Sequence, residues 1–526
     1  MRFLSRPLAL CSITLTLSCT DGDPVYPDIP DFSNTGAQST GANGTGANGT
    51  GDTNTGATSN SNGGSNNGGG GRPNSNAGTG GSNSPNTDPL YGHCDLPWSG
   101  EALPPAKPAC DLDALTDGGE LKGDITADRT LKRGHVYQLN GVVRIIAGKT
   151  LTIEPCVKVV GQDPDSLLVA LSANNLGSGA CSFMGGKPVQ AAKIVAAGEP
   201  MAPIVFTSAN EPGKRTPGDW GGVLLLGNGF HNDADETTRV ATEGLVSTEC
   251  YGWNTTEFNQ ESSGKLEYVR IEYASRQTAE GSETNGLTLA GVGSGTSLHH
   301  VMVANSNDDC FEFFGGAVNA HHLIALNCED DMFDSDKGHS GHVQFMFGRQ
   351  FLTTNETDSR GFEIDSGANA AVGFTTSKWS NFTVCGGGPD DKKASREGLA
   401  FRSNAHPTLM NGLVTGFAGG GLFVNVSLET KLSSLNIFDN RVGLLSGGAN
   451  HATSEWFASQ TGNSGEDPGR FCNCWQPRPT AVAAETVEGE MPVGFDDATA
   501  NYRGAFKDAS AESNWMQGLW VDWSAN

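Results

Sequence analysis

The sequence predicts an all-β fold: a right-handed, single-stranded parallel β-helix (solenoid) with capped ends, preceded by a disordered linker. Three observations carry that expectation. An acidic and aromatic block recurs at coil-sized intervals, a second short strand echoes beside it, and no convincing amphipathic helix lies between them. Asp308-Asp309-Cys310-Phe311-Glu312-Phe313-Phe314 returns 22 residues later as Asp330-Asp331-Met332-Phe333-Asp334-Ser335-Asp336. The frame continues through Gly361-Phe362-Glu363-Ile364-Asp365, Gly398-Leu399-Ala400-Phe401-Arg402 and Gly421-Leu422-Phe423-Val424-Asn425. The echo runs Leu266 to Ile271, Leu298 to Val303 and His321 to Leu326. These segments are alternating, rich in β-branched or aromatic residues, and bounded by Gly, Asn, Asp or Ser. Leucine-rich repeats would need a Leu/Asn spacing that is missing, and propellers would need antiparallel blades. About ten coils, each rising roughly 4.8 Å, are expected.

Taken in chain order, residues 1–18 read as an export signal: Arg2 and Arg6 precede an apolar stretch, Leu8 to Leu17, too short to span a bilayer. Residues 19–90 form the linker. Between Ser33 and Asp88 there is no aromatic residue, and Asp52, Arg72 and Asp88 alone carry charge, so this stretch cannot bury a core. Its r.m.s. reach is roughly 40 to 50 Å for about 70 residues. Residues 91–122 are expected to cap the solenoid, residues 123–450 to form it, and residues 451–526 to close its other end. In that last region Trp456, Trp475, Trp515, Trp520 and Trp523 are expected to seal exposed core. The first coils are Lys149 to Pro155, Ala192 to Gly198 and Pro203 to Thr207, followed by Asp219 to Gly227.

Composition narrows function. Against 33 Lys+Arg stand 59 Asp+Glu, a net charge of -26 that becomes -28 once Arg2 and Arg6 are clipped away. Nucleic acid is thereby excluded as a partner, since phosphate binding needs clustered positive charge. Beyond Cys11 and Cys19, ten cysteines remain in an apparently exported chain, which favours disulfides over a zinc site. Cys94 with Cys110 and Cys310 with Cys328 are the expected pairs.

Leu15-Thr16-Leu17-Ser18-Cys19 resembles a bacterial lipoprotein signal, with Thr16 departing from the Leu preferred there. The resemblance implies lipidation at Cys19, a membrane tether through that anchor alone, and a place on the outer membrane or cell surface. The rest of the chain from about Gly123 resembles a family of exported, often lipid-anchored bacterial β-helix proteins. The likeness rests on the strand Trp220 to Gly227, on Asn285 to Thr296, and on the pair Asp308 to Gly316 and Asp330 to Gly338. It extends to Asn501-Tyr502-Arg503-Gly504-Ala505 and Asn514-Trp515. It implies the fold and an envelope location, and no activity.

If coils stack in register, Phe311, Phe333, Phe362, Leu399 and Leu422 form one inward column, and Glu312, Asp334 and Glu363 form a column pointing out. Phe314, Asp336, Asp365, Arg402 and Asn425 form another, its face left open. Carboxylates one coil apart repel by roughly 3 to 4 kcal/mol at an effective dielectric of 20. A bound Ca²⁺, a shared proton, or the cations Arg360 and Arg402 would relieve this. The candidate ligand or cation site is therefore Asp308, Asp309, Glu312, Asp330, Asp331, Asp334, Asp336, Glu363 and Asp365, with Asp330, Asp331, Asp334 and Asp336 as the Ca²⁺ ligands. The plainer reading makes Asp308, Asp309, Asp330 and Asp331 turn residues that accept backbone N–H groups.

A catalytic reading uses Asp334, Asp336, His339 and Arg402. Asn305 to Cys310 with Gly338-His339-Ser340-Gly341-His342 is similar in outline to the polygalacturonase family, but has GHS where that family has GHG. Paired carboxylates there would supply an acid and a water-activating base. His299-His300 and His321-His322 are a further possible metal pair, with one member of each expected on the core side of its strand. The leading expectation is an envelope lipoprotein whose solenoid binds glycan or another extracellular ligand with Ca²⁺ assistance. A polysaccharide hydrolase or lyase is the alternative, and a purely structural surface scaffold the third reading.

Overall fold

The computed structural model describes residues 110–523, apart from 173–180, 182–189, 236–237, 246–248, 280–281, 351–358, 368–372, 389–395, 426–429, 446–453, 469–499 and 508–513. The export signal, Cys19, the linker, Cys94, Cys472, Cys474 and Trp475 lie outside the described residues.

The chain winds as a parallel β-helix with three faces per coil. One face stacks Leu167–Ala170, Val223–Leu226, Leu287–Ala290, Phe311–Phe314, Phe333–Asp336, Phe362–Ile364, Glu397–Phe401 and Gly420–Val424. Its register pairs Leu287 with Phe311, Phe311 with Phe333, Phe333 with Phe362, Phe362 with Leu399 and Leu399 with Leu422, all parallel. The expected inward column is thus real, and all of it is buried in the core. Its rings stack at 5.4 Å between Phe311 and Phe333 and 5.1 Å between Phe333 and Phe362. This is the arrangement that aromatic pairs favour over a face-to-face sandwich only when the rings are offset or tilted, as here at 14° and 27°.

The other two faces are built by single strands that bend. Gly264–Glu272, Ser297–Ala304, Ala320–Leu326, His342–Arg349, Lys378–Cys385 and Thr408–Thr415 each turn the corner at one left-handed residue. These are Tyr268, His300, His322, Phe345, Asn381 and Asn411, with φ between 52° and 58°. Asn tolerates that conformation, whereas Tyr, His and Phe are strained in it. Stacking offsets the strain: Tyr268 lies on His300 at 4.5 Å, His300 on His322 at 4.4 Å, and His322 on Phe345 at 4.7 Å.

Among the described residues, three disulfides tie the coils: Cys110–Cys156, Cys181–Cys250 and Cys310–Cys328. The last is as expected. The pairing of Cys94 with Cys110 is corrected, because Cys110 sits 5.5 Å from Cys156 between Cα atoms, beside Ala202 in a small buried cluster. Replacing Cys310 and Cys328 together by Ala should cost about 3 kcal/mol, the value for a loop of this size. Urea denaturation of that double variant checks it, and an unchanged midpoint would refute it.

The expected role of the tryptophans is corrected in part. Trp456, in the short helix Ser454–Ser459, does pack on the core where the solenoid ends. There Leu432 N–H donates to Gln460 Oε1 at 2.8 Å and Leu435 N–H to Asn463 Oδ1 at 3.0 Å, covering an open strand edge. Trp515, Trp520 and Trp523 instead lie along the flank, against Met302, Ile324 and Phe347. They belong to a C-terminal strap that runs back over the coils. Arg503 bonds Gly462 O at 2.6 Å, Ala505 N–H reaches Thr383 Oγ1 at 3.0 Å, and Leu519 N–H reaches Pro200 O at 2.8 Å. The physical reason is that the bent strands expose Met302, Ile324 and Phe347 outward, and this apolar stripe needs a cover. No described helix is long and apolar enough to cross a membrane.

Candidate functional site

Strand alternation sends Phe311, Phe333 and Phe362 inward and the residues after them outward. Glu312 therefore pairs in register with Asp334, and Asp334 with Glu363. One step further, Phe314 pairs with Asp336, and Asp365 N–H and Arg402 N–H continue the ladder onto Ser335 O and Ile364 O at 3.1 and 2.9 Å. Phe314 packs in an outer cluster with Tyr251, Leu224 and Leu226, so this column too faces out.

Facing out does not mean facing water. Glu312 and Glu363 are buried, because long excursions between strands fold over this face. One carries Asn228, His231, Arg239 and Tyr251, and is fastened by Cys181–Cys250 and by Arg239 donating to Gly252 O at 3.0 Å. A second, around Ser282, meets it where Gly244 N–H reaches Ser282 Oγ at 3.3 Å. Beneath them Asn285 donates to Glu312, and Tyr251 OH lies 3.0 Å from His231 Nε2.

Two of the four turn aspartates, Asp309 and Asp331, take the structural role foreseen for them. Asp309 Oδ1 accepts Asp331 N–H at 2.8 Å, and one coil on Asp331 Oδ1 accepts Arg360 N–H at 2.7 Å, a side-chain ladder that ties successive turns. Both residues also converge with neighbouring acids. Three overlapping triads result: Asp308, Asp309 and Asp330; Asp309, Glu312 and Asp334; Asp331, Asp334 and Glu363. In each, one oxygen per residue lies within 4.8 Å of the others. Oxygens around one Ca²⁺ at 2.3–2.6 Å lie at most about 5 Å apart, so each triad has chelating dimensions.

Electrostatics agree with a site short of positive charge. Burial first, and neighbouring carboxylates second, hold Asp308, Asp309, Glu312 and Asp334 well above the usual carboxylate range. Asp334 Oδ1 is buried with no hydrogen-bond partner. Two arginines give relief at one end. Arg360 bonds Glu363 at 2.7 Å and lies 3.8 Å from Asp331, while Arg402 pairs with Glu363 and lies 3.9 Å from Asp365. At the rim, Lys337 Nζ is 3.1 Å from Asp336, whose acid burial still pushes up to about 6.

The expected Ca²⁺ quartet is accordingly regrouped. Asp330 joins Asp308 and Asp309, Asp336 is taken by Lys337, and Glu312, Glu363 and Asp309 complete the triads around Asp331 and Asp334. Asp365 spends one oxygen on the N–H groups of Ser366 and Gly367 and the other on Ser403. His339 is corrected as a catalytic candidate. It lies inside the solenoid, 4.9 Å from the Phe313 ring, with Nδ1 on Ser335 Oγ and Nε2 on Val318 O. Burial pushes it down to about 4, so it is a neutral core residue. The histidine pairs are corrected too: all four rings stack on the outer surface. The parts played by Asn285 and Tyr251 were not foreseen. Only the position of Asn285 at the head of the Asn285 to Thr296 block hinted at it.

A three-sided solenoid with its acids on one face, beneath inter-strand excursions, matches a family model described as a pectate-lyase like beta helix domain over residues 123–446. The chain belongs to this family. The pectate-lyase-like domain thus contains every acid of the three triads, together with Arg360 and Arg402, while the strap and the terminal helix lie beyond it. No curated protein matches the chain.

Proposed function

We propose that this protein is a cell-envelope component whose β-helix flank binds an extracellular ligand of the glycan class, with Ca²⁺ held among the recessed carboxylates. The observation that carries this reading is the run of three overlapping oxygen triads, two of which share Asp334, a residue whose Oδ1 is buried without a hydrogen-bond partner. A carboxylate in that position is either protonated or coordinated, and a hard divalent cation answers the repulsion of all three triads at once. Cation-held carboxylates leave coordination positions for hydroxyl or carboxylate oxygens of a sugar. Lipidation at Cys19 would place the domain at the outer membrane or cell surface on its linker.

The enzymatic alternative, a hydrolase or lyase, rests on Asp336. With its acid pushed up to about 6 and Lys337 beside it, Asp336 has the proton affinity of a general acid or base near neutrality. Arg402, its side chain 35% exposed, would stabilise developing negative charge.

The test is a glycan array on the chain from Thr20 onward, with Ca²⁺ and with chelator, assayed also for released oligosaccharide. Ca²⁺-dependent binding lost in Asp334→Asn, by at least tenfold in Ca²⁺ affinity, is the expected result. Product release abolished by Asp336→Asn would establish the enzyme, and neither binding nor products would leave a scaffold. Cys19→Ala should move the protein from the membrane to the soluble fraction.

A further inference from the structure

On a different face of the solenoid, four histidines from two consecutive coils meet at the bends. His299 pairs in register with His321, their rings stacked at 4.9 Å, and His300 stacks on His322 at 4.4 Å. In a regular strand adjacent residues point to opposite sides. Here the left-handed bend at His300 and His322 turns two consecutive side chains to the same side. Within each coil the two Nδ1 atoms then approach, to 3.0 Å in His299–His300 and 2.6 Å in His321–His322.

Nitrogens of His300, His321 and His322 lie within 4.8 Å of one another. The cluster is half-buried. Tyr268 covers one end of the stack, Trp515 and Trp520 stand edge-on beside it at 5.0 and 5.3 Å, and the His299 side chain is 23% exposed. Glu267 Oε1 lies 3.6 Å from His299 Nε2, where a carboxylate orients an imidazole of a metal site from outside. Three imidazoles with no thiolate or carboxylate among them suit zinc, copper(II) or nickel(II) rather than Ca²⁺ or Mg²⁺.

We propose that His300, His321 and His322, with His299 and Glu267 as positioning residues, bind one divalent transition-metal ion of the zinc, copper or nickel class at the bends of adjacent coils. This inference is independent of the acidic recess.

The experiment uses the untagged full chain, stripped with chelator and titrated with Zn²⁺ by calorimetry and with Cu²⁺ by electron paramagnetic resonance. One Zn²⁺ per chain is expected at micromolar affinity or tighter, unaffected by millimolar Ca²⁺. The copper spectrum should carry hyperfine coupling from at least two nitrogens. His321→Ala with His322→Ala should weaken Zn²⁺ binding at least 100-fold, and Glu267→Gln about tenfold. His135→Ala, on another coil, should change nothing. His322→Phe keeps a ring in the stack while removing both nitrogens, so it reports even if the double variant fails to fold. Zn²⁺ affinity unchanged in His322→Phe, or coupling from no more than one nitrogen, overturns the proposal.

Discussion

Phe333→Ala should destabilise the protein by about 3–5 kcal/mol, the usual cost of emptying a buried aromatic site. Phe333 is fully buried, and it stands between Phe311 and Phe362 with Trp379 also against it, at 6.3 Å. Parallel strands above and below hold its Cα in register, so the walls cannot collapse into the space. Phe333→Leu should cost much less, because the same column carries Leu399 and Leu422 at later coils. Urea denaturation of both variants decides this. A loss under about 1 kcal/mol for the alanine variant would mean the column carries no packing load.

In the absence of divalent cations, stability should fall as pH rises from 6.5 to 8.5, while below pH 6.5 two sets of groups oppose each other. On the alkaline side the recessed acids govern. Asp308, Asp309, Glu312 and Asp334 hold protons in the folded state that the unfolded chain has already released. Their contribution is complete below the unfolded pKa and is lost as pH rises through the raised folded values. Below about pH 6.5 buried histidines oppose the acids. His231 and His339 are held down at about 3 and about 4 by burial, so the unfolded chain binds protons below about pH 6.5 that the folded state refuses. Each removes on the order of 3 kcal/mol as pH falls through that interval. Asp336, raised to about 6, sides with the other acids. Ca²⁺ should flatten the alkaline limb, by replacing the protons. Urea midpoints at pH 6.5 and 8.5, in Ca²⁺ and in chelator, check this. Stability rising from pH 6.5 to 8.5 in chelator would contradict the assignment.

The repeat made the fold legible because stacked coils turn sequence recurrence into spatial adjacency. The letters Phe311, Phe333, Phe362, Leu399 and Leu422 needed only a common frame to be placed together. The same frame placed Glu312, Asp334 and Glu363 in one column. What covers that column was not legible. The excursions bearing Tyr251 and Asn285 carry no repeat, and their packing depends on a disulfide, Cys181–Cys250, whose pairing spans 69 residues. His339 misled because its motif says nothing of which side of the strand it turns toward. The bends were hidden for a different reason: a left-handed corner is announced by Asn381 and Asn411, but not by Tyr268, His300, His322 or Phe345. Those residues adopt it only because each has a ring above or below.

An unbraced stack of coils contacts only its nearest neighbours, and such arrays unzip from their ends. The strap changes the connectivity of that problem. By joining the winding of Asn436 to that of Pro200 through Arg503, Trp515, Trp520 and Leu519, it makes early and late windings share contacts with one segment. Removing residues beyond 499 should therefore convert a single sharp melting transition into a broad, stepwise one, with the last windings fraying first.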